Sequence, residues 1–397
     1  MKTKQLSIVA LTLATALTAC NSGSKNQTPD GWVIKNEVKD IETIDLEQIA
    51  EAIEVIPIAT DEPIDEILGL SGSSNDFIAG NNRWQKFYHI KDGRLVGQLN
   101  AVGNGPNEYR YLDYYSYLPA ENLFYGCEEN GKILCYQTSP FKFVSKYETE
   151  IFPHGIVALG RDELLITAMP PMDEQENAEK QQIGGATITV MKDSSILYRF
   201  DGQNLSKLFC IAKPNDDMSP VFTRSGDGVL MSLLMPQHTL YRYVNGQTEK
   251  ILTIDYGEMT MPEPEEKIEQ HGDMFVINMV INGDYCTGCY HPQLYGSTLA
   301  YWHYTILNDR GRNCLAIASP ESVRNYEVRI GGLNFEINID MVDNGVYTKI
   351  IQGDWESKIN SNEELSPLGK RIIEAMKNND ENPVILQFRL KDKYLNK

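Results

Sequence analysis

The residues best suited to chemistry in this 397-residue sequence are cysteines. Cys286 and Cys289 form a Cys-x-x-Cys pair, a spacing that serves redox enzymes and, when doubled, zinc sites. Redox chemistry needs the first cysteine at a helix N-terminus, and Tyr290-His291-Pro292 begins a helix poorly. A zinc site needs a second ligand pair, and the nearby histidines lack compact spacing. A local disulfide or two free thiols is the simplest interpretation, with metal and redox sites as alternatives.

A second pair, Cys127 and Cys135, flanks the Asn130-Gly131 turn of a predicted hairpin. An Asn-Gly pair favours a tight turn, so the two strands bring these thiols near each other. A cross-strand disulfide forms only if their Cα atoms lie within about 7 Å, and the register can also place them diagonally. The sequence therefore leaves a disulfide and two free thiols open.

Cys20 follows a segment with the parts of an export signal. Lys2 and Lys4 precede an apolar run at residues 6–17, which is shorter than the ~20 residues of a membrane span. The run ends in Leu17-Thr18-Ala19-Cys20, which resembles the lipobox of bacterial lipoproteins. We predict a signal peptide at residues 1–19 and acylation of Cys20, with a plain secretory signal as the alternative. Palmitate-class chains on Cys20 would anchor the chain in a membrane.

Composition bounds the rest of the chain. Residues 20–40 are polar and predict a lipidated flexible tether, which leaves 41–397 as one globular domain. Hydrophobic residues make up 42% and charged residues 23% of the chain, as in a folded protein. The formal net charge is −19, and it becomes −21 once Lys2 and Lys4 are removed with the signal. Such a surface repels nucleic acid, so no nucleic-acid partner is expected.

Short β-type runs separated by turn residues dominate the sequence. Two clear hairpins turn at Asp92-Gly93 and at Asn130-Gly131. A strand–turn–strand unit that returns every ~40–60 residues favours a β-propeller over a sandwich or barrel. Stacked blades bury the two faces that a single small sheet cannot bury alone. The fold class is therefore predicted to be all-β.

Helix is scarce, and one helix has a defined start. Ser366 is a suitable N-cap and Pro367 fits the first helical position. Shorter helices are predicted at residues 46–52 and 262–270. Residues 382–390 read as a last strand behind the C-terminal helix. We expect this strand to close the ring by pairing with residues 53–58, which removes two open sheet edges.

A motif at residues 102–109 carries a family resemblance. Val102-Gly103-Asn104-Gly105-Pro106-Asn107-Glu108-Tyr109 resembles the Gly-x-Gly-Pro-x-Glu-Tyr signature of six-bladed, TolB-like β-propeller lipoproteins of Bacteroidota. The opening strand at residues 56–60 and the closing strand at residues 382–386 are similar to the ends of that family. The likeness spans about residues 40–395, and it implies six blades. The segments 172–185 and 257–291 depart from the blade pattern, which indicates insertions.

The motif also has a physical interpretation. Gly103 and Gly105 allow positive φ, and Pro106 stiffens the turn. The Glu108 carboxylate can accept hydrogen bonds from loop amides, and Tyr109 can cover the loop as a lid. We predict an inter-blade connector, with a ligand-binding loop as the alternative. A phosphate-binding loop is disfavoured because no Lys-Ser/Thr pair follows.

No catalytic, cofactor or metal residue is assigned from the sequence, which contains no Gly-x-Ser-x-Gly or His-Glu-x-x-His motif. Five tyrosines between residues 109 and 117 predict core packing, or else an exposed aromatic platform.

We expect a binding or protein-interaction module whose ligand is a protein, peptide or glycan. An enzyme with a central-channel site, either a hydrolase or a lyase, is one alternative. An accessory component of an outer-membrane uptake complex is another.

The residues after Cys20 indicate where in the cell envelope the protein is expected to lie. They lack the acidic cluster that resembles a surface-export signal of Bacteroidota, and Asn21 is not the aspartate of inner-membrane retention. We therefore predict a lipid anchor in the outer membrane, on its periplasmic face rather than at the cell surface.

Overall fold

The structure is a computed structural model. It describes residues 32–81, 83–128, 130–169, 178–183, 186–191, 196–210, 221–226, 228–233, 238–262, 265–271, 274–380 and 382–395. The predicted signal peptide, Cys20 and residues 21–31 lie outside this range. Within it, no helix has the length and apolar character needed to span a membrane.

Three strands and one helical turn open the described chain: β1 (Trp32–Lys35), β2 (Glu42–Asp45), α1 (Leu46–Ile49) and β3 (Ala50–Pro57). Blades 1 and 2 follow, each with four antiparallel strands. Their strands are β4 (Gly69–Ser73), β5 (Asp76–Asn81), β6 (Lys86–Lys91), β7 (Arg94–Leu99), β8 (Tyr114–Leu118), β9 (Leu123–Cys127), β10 (Lys132–Thr138) and β11 (Phe141–Glu148).

Blades 3 and 4 have the same plan, and an extra hairpin, β14–β15, interrupts blade 3. Their strands are β12 (Phe152–Gly160), β13 (Glu163–Met169), β14 (Ala178–Ile183), β15 (Ala186–Met191), β16 (Ile196–Phe200), β17 (Leu205–Cys210), β18 (Val221–Ser225), β19 (Gly228–Leu233), β20 (His238–Val244) and β21 (Gln247–Asp255). A second extra hairpin, β22 (Glu265–His271) with β23 (Met274–Val280), precedes blade 5. Both hairpins overlap the segments predicted as insertions.

Blades 5 and 6 complete a six-bladed β-propeller. Their elements are β24 (Tyr285–Tyr295), β25 (Thr298–Leu307), β26 (Arg310–Ala318), β27 (Val323–Arg329), β28 (Met341–Asp343), β29 (Val346–Ile351), α2 (Pro367–Lys377) and β30 (Val384–Leu390). Single 3-10 turns occupy Pro119–Glu121, Gly257–Met259, Glu356–Lys358 and Asp392–Tyr394. The helix predicted at 262–270 is wrong, because this segment pairs as strand β22. The helix predicted at 46–52 is a single turn.

Ring closure is confirmed. Strand β3 pairs antiparallel with β30, with Glu54 opposite Gln387 and Pro57 opposite Val384, so blade 6 combines both ends of the chain. Helix α2 lies between β29 and β30 in sequence, and the Ser366 hydroxyl accepts a hydrogen bond from the Gly369 amide at 3.1 Å. This is the predicted N-cap.

Each blade interface holds its own apolar core. The described buried apolar residues group into six clusters, one for each pair of neighbouring blades. The second strands β5 and β9 are buried along their whole length, because both of their faces lie against other blades. The core of a propeller is therefore spread around the ring, and every blade depends on two neighbours.

The N-terminal segment forms a belt, here defined as residues 32–57, around three blades. Strand β1 pairs in parallel with β21 of blade 4, β2 pairs in parallel with β27 of blade 5, and β3 completes blade 6. The belt covers outer edges that would otherwise expose unpaired backbone groups. Because β1 lies inside residues 20–40, the prediction of a flexible tether is wrong for the end of that range.

A buried amide pair fixes the belt to blade 5. The Asn36 side chain donates hydrogen bonds to the Tyr301 hydroxyl at 2.8 Å and to the Asn325 carbonyl oxygen at 3.1 Å, and it accepts one from Asn325 at 2.8 Å. Asn36 is only 1% exposed. His303 continues this network, with its Nε2 atom 2.9 Å from the Asn325 side-chain oxygen.

We predict that Asn36→Ala lowers the free energy of unfolding by about 1–3 kcal/mol, because Asn325 would be left with unsatisfied polar atoms in the interior. Urea unfolding of the purified protein measures this change. The adjacent Lys35→Ala serves as control, since Lys35 is exposed. Equal stabilities of the two variants would show that the amide pair does not hold the belt.

Candidate functional site

The motif loop at residues 102–109 connects β7 of blade 1 to β8 of blade 2, as predicted. The Gly105 amide donates a hydrogen bond to Glu108 Oε2 at 2.7 Å, and the Gly103 amide donates to the Tyr109 carbonyl oxygen at 2.8 Å. Pro106 is exposed at the tip of the loop. The Tyr109 hydroxyl donates to the Gln85 carbonyl oxygen at 2.9 Å. Because Tyr109 is fully buried, it anchors the loop and is not a lid.

The glycines of the motif have a different role from the predicted one. Neither Gly103 nor Gly105 has positive φ. A Cβ atom at Gly103 would lie 1.9 Å from Glu108 Oε2, and one at Gly105 would lie 3.0 Å from the same atom. Glycine is needed here because the Glu108 carboxylate packs directly on the loop backbone.

The cysteine pairs do not form disulfides. Cys127, Cys135, Cys286, Cys289 and Cys314 are buried free thiols. In the hairpin, Cys127 lies opposite Ile133 and Cys135 lies opposite Tyr125, so the two thiols are diagonal neighbours, roughly 7–8 Å apart at Cα. That separation exceeds ordinary disulfide geometry.

The Cys-x-x-Cys pair lies inside strand β24, where Gly288 has a φ of 86° at a bulge. Burial raises the pKa of Cys286 to about 11 and that of Cys289 to about 12. Both thiols therefore stay protonated at neutral pH, unlike a redox cysteine at a helix N-terminus. The described residues also contain no cluster of ligands for a metal ion.

The tyrosines between residues 109 and 117 belong largely to the core. Tyr109 and Tyr117 are fully buried, and Tyr111 is 44% exposed. The Tyr117 hydroxyl donates to Asp76 Oδ1 at 2.9 Å, and His89 Nε2 lies 2.7 Å from the same oxygen. This polar group connects blades 1 and 2 within the apolar interface. Core packing is confirmed for Tyr109 and Tyr117.

The first strand of each blade lines the central channel. Inner strands are joined by side-chain hydrogen bonds: the Tyr117 amide donates to Ser71 Oγ, and the Ala158 amide donates to Ser116 Oγ, both at 2.9 Å. Cα atoms of β18 in blade 4 and β28 in blade 6 approach within 8 Å across the ring. The channel is therefore narrow between these two blades.

A cavity of about 390 Å³ opens at one mouth of this channel. Its walls include the β18–β19 turn at Gly226 and Gly228, the β20–β21 turn at Asn245 and Gly246, and the β28–β29 turn at Asn344. Turns after the first and third strands of a blade share one end of a propeller. The motif loop precedes a first strand and lies at the opposite end.

Two of these turns have the same backbone form. Asn245 and Gly246 have φ values of 50° and 81°, and Asn344 and Gly345 have φ values of 47° and 76°. Positive φ at both central residues is the type I′ hairpin turn, for which Asn-Gly is the favoured sequence. Blades 4 and 6 thus both contribute Asn-Gly turns to the cavity wall.

Charged groups of three blades face the cavity. Arg224 on β18 donates a hydrogen bond from Nη2 to the Ala158 carbonyl oxygen of blade 3. Burial lowers the pKa of the Arg224 guanidinium, against the opposing field of Asp343, but a guanidinium stays charged. Glu163 is paired with Arg199 Nη2 at 2.8 Å. The buried Tyr243 hydroxyl lacks a hydrogen-bond partner in the described part of the chain.

The cavity residues were not predicted from the sequence. The Asn-Gly turn at 245–246 was visible as a hairpin, but nothing in the sequence placed it beside Asn344 or Arg224. Of the predicted site residues, the structure brings together those of the motif loop, and it places them away from the cavity. Cys20 lies outside the described residues.

Comparison with known families identifies the fold. The sequence matches the family DUF5128, described as a 6-bladed beta-propeller, over residues 23–293. The chain belongs to this family. The predicted resemblance is thereby confirmed for the six-bladed propeller, while its TolB-like and lipoprotein parts stay predictions. No curated protein matches the chain.

Solved structures are similar to this chain at low sequence identity, and the first of them has the same fold. A protein of Bacteroides fragilis, named as a candidate exported protein, is 12% identical with a TM-score of 0.59, and the match covers 90% of this chain and 99% of that one. A DUF4221 member from Bacteroides vulgatus is 6% identical (TM-score 0.43; 86% and 97% covered). BamB from Moraxella catarrhalis is 11% identical (TM-score 0.33; 81% and 84% covered).

We predict that Gly103→Ala destabilises the protein by about 1–3 kcal/mol, because its Cβ atom would collide with the Glu108 carboxylate. The double variant Gly103→Ala/Glu108→Ala should be about as stable as Glu108→Ala alone, since the collision is then absent. Denaturant unfolding of the three variants tests this coupling. Strictly additive effects would show that Glu108 is not what requires the glycine.

Proposed function

We propose that this protein is a binding module of the cell envelope, which takes its ligand at the channel mouth. The supporting observation is the cavity of about 390 Å³, whose polar walls come from blades 3, 4 and 6. This volume lies within the usual ~300–1,000 Å³ of ligand pockets. Tight turns at the ends of paired strands hold its polar groups in fixed positions, which favours recognition of a defined ligand.

The titratable groups favour binding over catalysis. General acid–base catalysis needs an accessible group with a pKa near the working pH. Burial lowers the pKa values of His238 and His303 to about 4, and both side chains lie inside the blades. The Cys286 and Cys289 thiols are likewise buried and protonated. These histidines and thiols thus support the packing of blades and are not among the residues that line the cavity.

The envelope location rests on the N-terminus. We propose that the chain is exported, acylated on Cys20 and held at the periplasmic face of the outer membrane. Cys20 stands twelve positions before Trp32, the first residue of the belt. An extended chain spans that separation in at most ~43 Å, so the propeller would stay close to the membrane. The fold shared with a candidate exported protein of Bacteroides fragilis is consistent with export.

We expect labelled palmitate to be incorporated into the wild-type protein and lost in Cys20→Ala, which should also leave the membrane fraction. Gel fluorography and fractionation of cells measure both effects. Cys314→Ala is the control, since Cys314 is a buried thiol of blade 5. Label or membrane association that persists in Cys20→Ala would contradict the proposed anchor. Digestion of the protein by protease added to intact cells would contradict the periplasmic face.

The binding role is tested by photo-crosslinking in intact cells. A photoreactive amino acid at Val244, which lines the cavity, should give an adduct of defined mass. The same photoreactive amino acid placed at Val96 should not give that adduct. Val96 is 45% exposed and lies on the outer strand of blade 1. Mass spectrometry of the purified protein reads both variants. Identical adducts at the two positions, or none at Val244, would count against a ligand site at the channel mouth.

A further inference from the structure

We infer that the ligand of the channel mouth carries a single carboxylate group, which the Arg224 guanidinium binds. This inference rests on the proposed function and specifies the chemical class of the ligand. It follows from the state of Arg224, from the charges of the other cavity residues, and from the polar groups of the neighbouring turns.

Arg224 uses little of its hydrogen-bonding capacity. A guanidinium has five N–H donors, and the described residues give Arg224 one hydrogen bond, to the Ala158 carbonyl oxygen. The ion pair described at the cavity joins Glu163 to Arg199 and does not include Arg224. A partly buried cation without an ionic partner is costly, and natural proteins tolerate such groups mainly at functional sites. The described residues thus leave the remaining donors open to a ligand.

The carboxylate whose charge acts on Arg224, that of Asp343, is already engaged. Asp343 Oδ2 accepts the Ser74 amide at 3.1 Å, and Asp343 Oδ1 accepts the Asn344 side-chain amide at 2.9 Å. Asp343 therefore acts on Arg224 through its charge without occupying the guanidinium donors. It also joins blade 6 to blade 1, which gives it a structural role of its own.

The charge balance of the described lining favours a monoanion. Glu163 is neutralised by Arg199, so Arg224 supplies the positive charge that is free of an ion pair, and Asp343 opposes further negative charge. A phosphate dianion would be repelled more strongly by Asp343 than a carboxylate. The planar guanidinium also matches the two oxygens of a carboxylate. Asn245 at the cavity wall offers neutral hydrogen bonds to the rest of the ligand.

The inference is tested by ligand-observed NMR on the purified full-length protein, with small carboxylates and their primary amides as matched probes. N-acetylglycine with its amide, and glucuronate with glucuronamide, are suitable pairs. We expect each acid to bind at least tenfold more tightly than its amide. Arg224→Met should abolish binding of the acids, while Arg94→Met on blade 1 should not. Arg94 is exposed and is not among the residues that line the cavity.

Gly226 offers an isosteric pair of variants. It has a φ of 60°, and nothing lies within 4 Å of a Cβ atom built there. Asparagine and aspartate both tolerate this conformation. Gly226→Asp should weaken binding of the acids on the order of fivefold relative to Gly226→Asn, because the two variants differ by one charge beside Arg224. This comparison decides the question even if Arg224→Met fails to fold.

Three results would overturn the inference: acids and amides that bind alike, acid binding that survives Arg224→Met, or phosphate that binds more tightly than every acid. Absence of binding by all probes would also reject it. In that case the crosslinking result separates the two proposals. An adduct specific to Val244 would support the binding site but indicate another class of ligand. Absence of that adduct would contradict both the binding site and the carboxylate ligand.

Discussion

The pairing of β3 with β30 is the interaction on which the rest of this structure depends. A propeller has no single core, so each blade is stable only while both neighbours cover its faces. Without β3, blade 6 loses its outer strand and the ring opens between blades 6 and 1. The positions of the channel-mouth turns, which come from blades 3, 4 and 6, follow from this closure.

Polar groups inside the blade interfaces fix how neighbouring blades are aligned in the closed ring. Apolar faces of similar width can slide past one another, whereas a buried hydrogen bond is satisfied at one register only. Asp76, His89 and Tyr117 set blade 1 against blade 2, and Asn36 with Asn325 sets the belt against blade 5.

Short sequence patterns predicted several local elements correctly. The features that were not predicted depend on residues that lie far apart in the sequence. The turns at Asp92-Gly93 and Asn130-Gly131, the Ser366 N-cap and the closing strand depend on neighbours in sequence or on the need to cover an edge. Strand β1 was missed because four residues flanked by polar segments resemble a tether until the edge of blade 4 is known. Arg224 was missed because its cavity is assembled from turns that lie far apart in the sequence.

The motif that carries the predicted family resemblance and the cavity that we propose as the binding site are physically separate. In the motif loop, the Glu108 carboxylate accepts a hydrogen bond from the Gly105 amide, and the Tyr109 hydroxyl donates one to the Gln85 carbonyl oxygen. These groups therefore already serve to hold blade 1 to blade 2. At the other end of the channel, Arg224 makes one hydrogen bond with the described residues, to the Ala158 carbonyl oxygen. The polar groups of the motif form hydrogen bonds within the protein and so stabilise the fold. Ligand binding, in contrast, uses polar groups that still have hydrogen-bonding capacity. We therefore expect the residues of the channel-mouth turns, and not the motif, to determine the ligand of this protein.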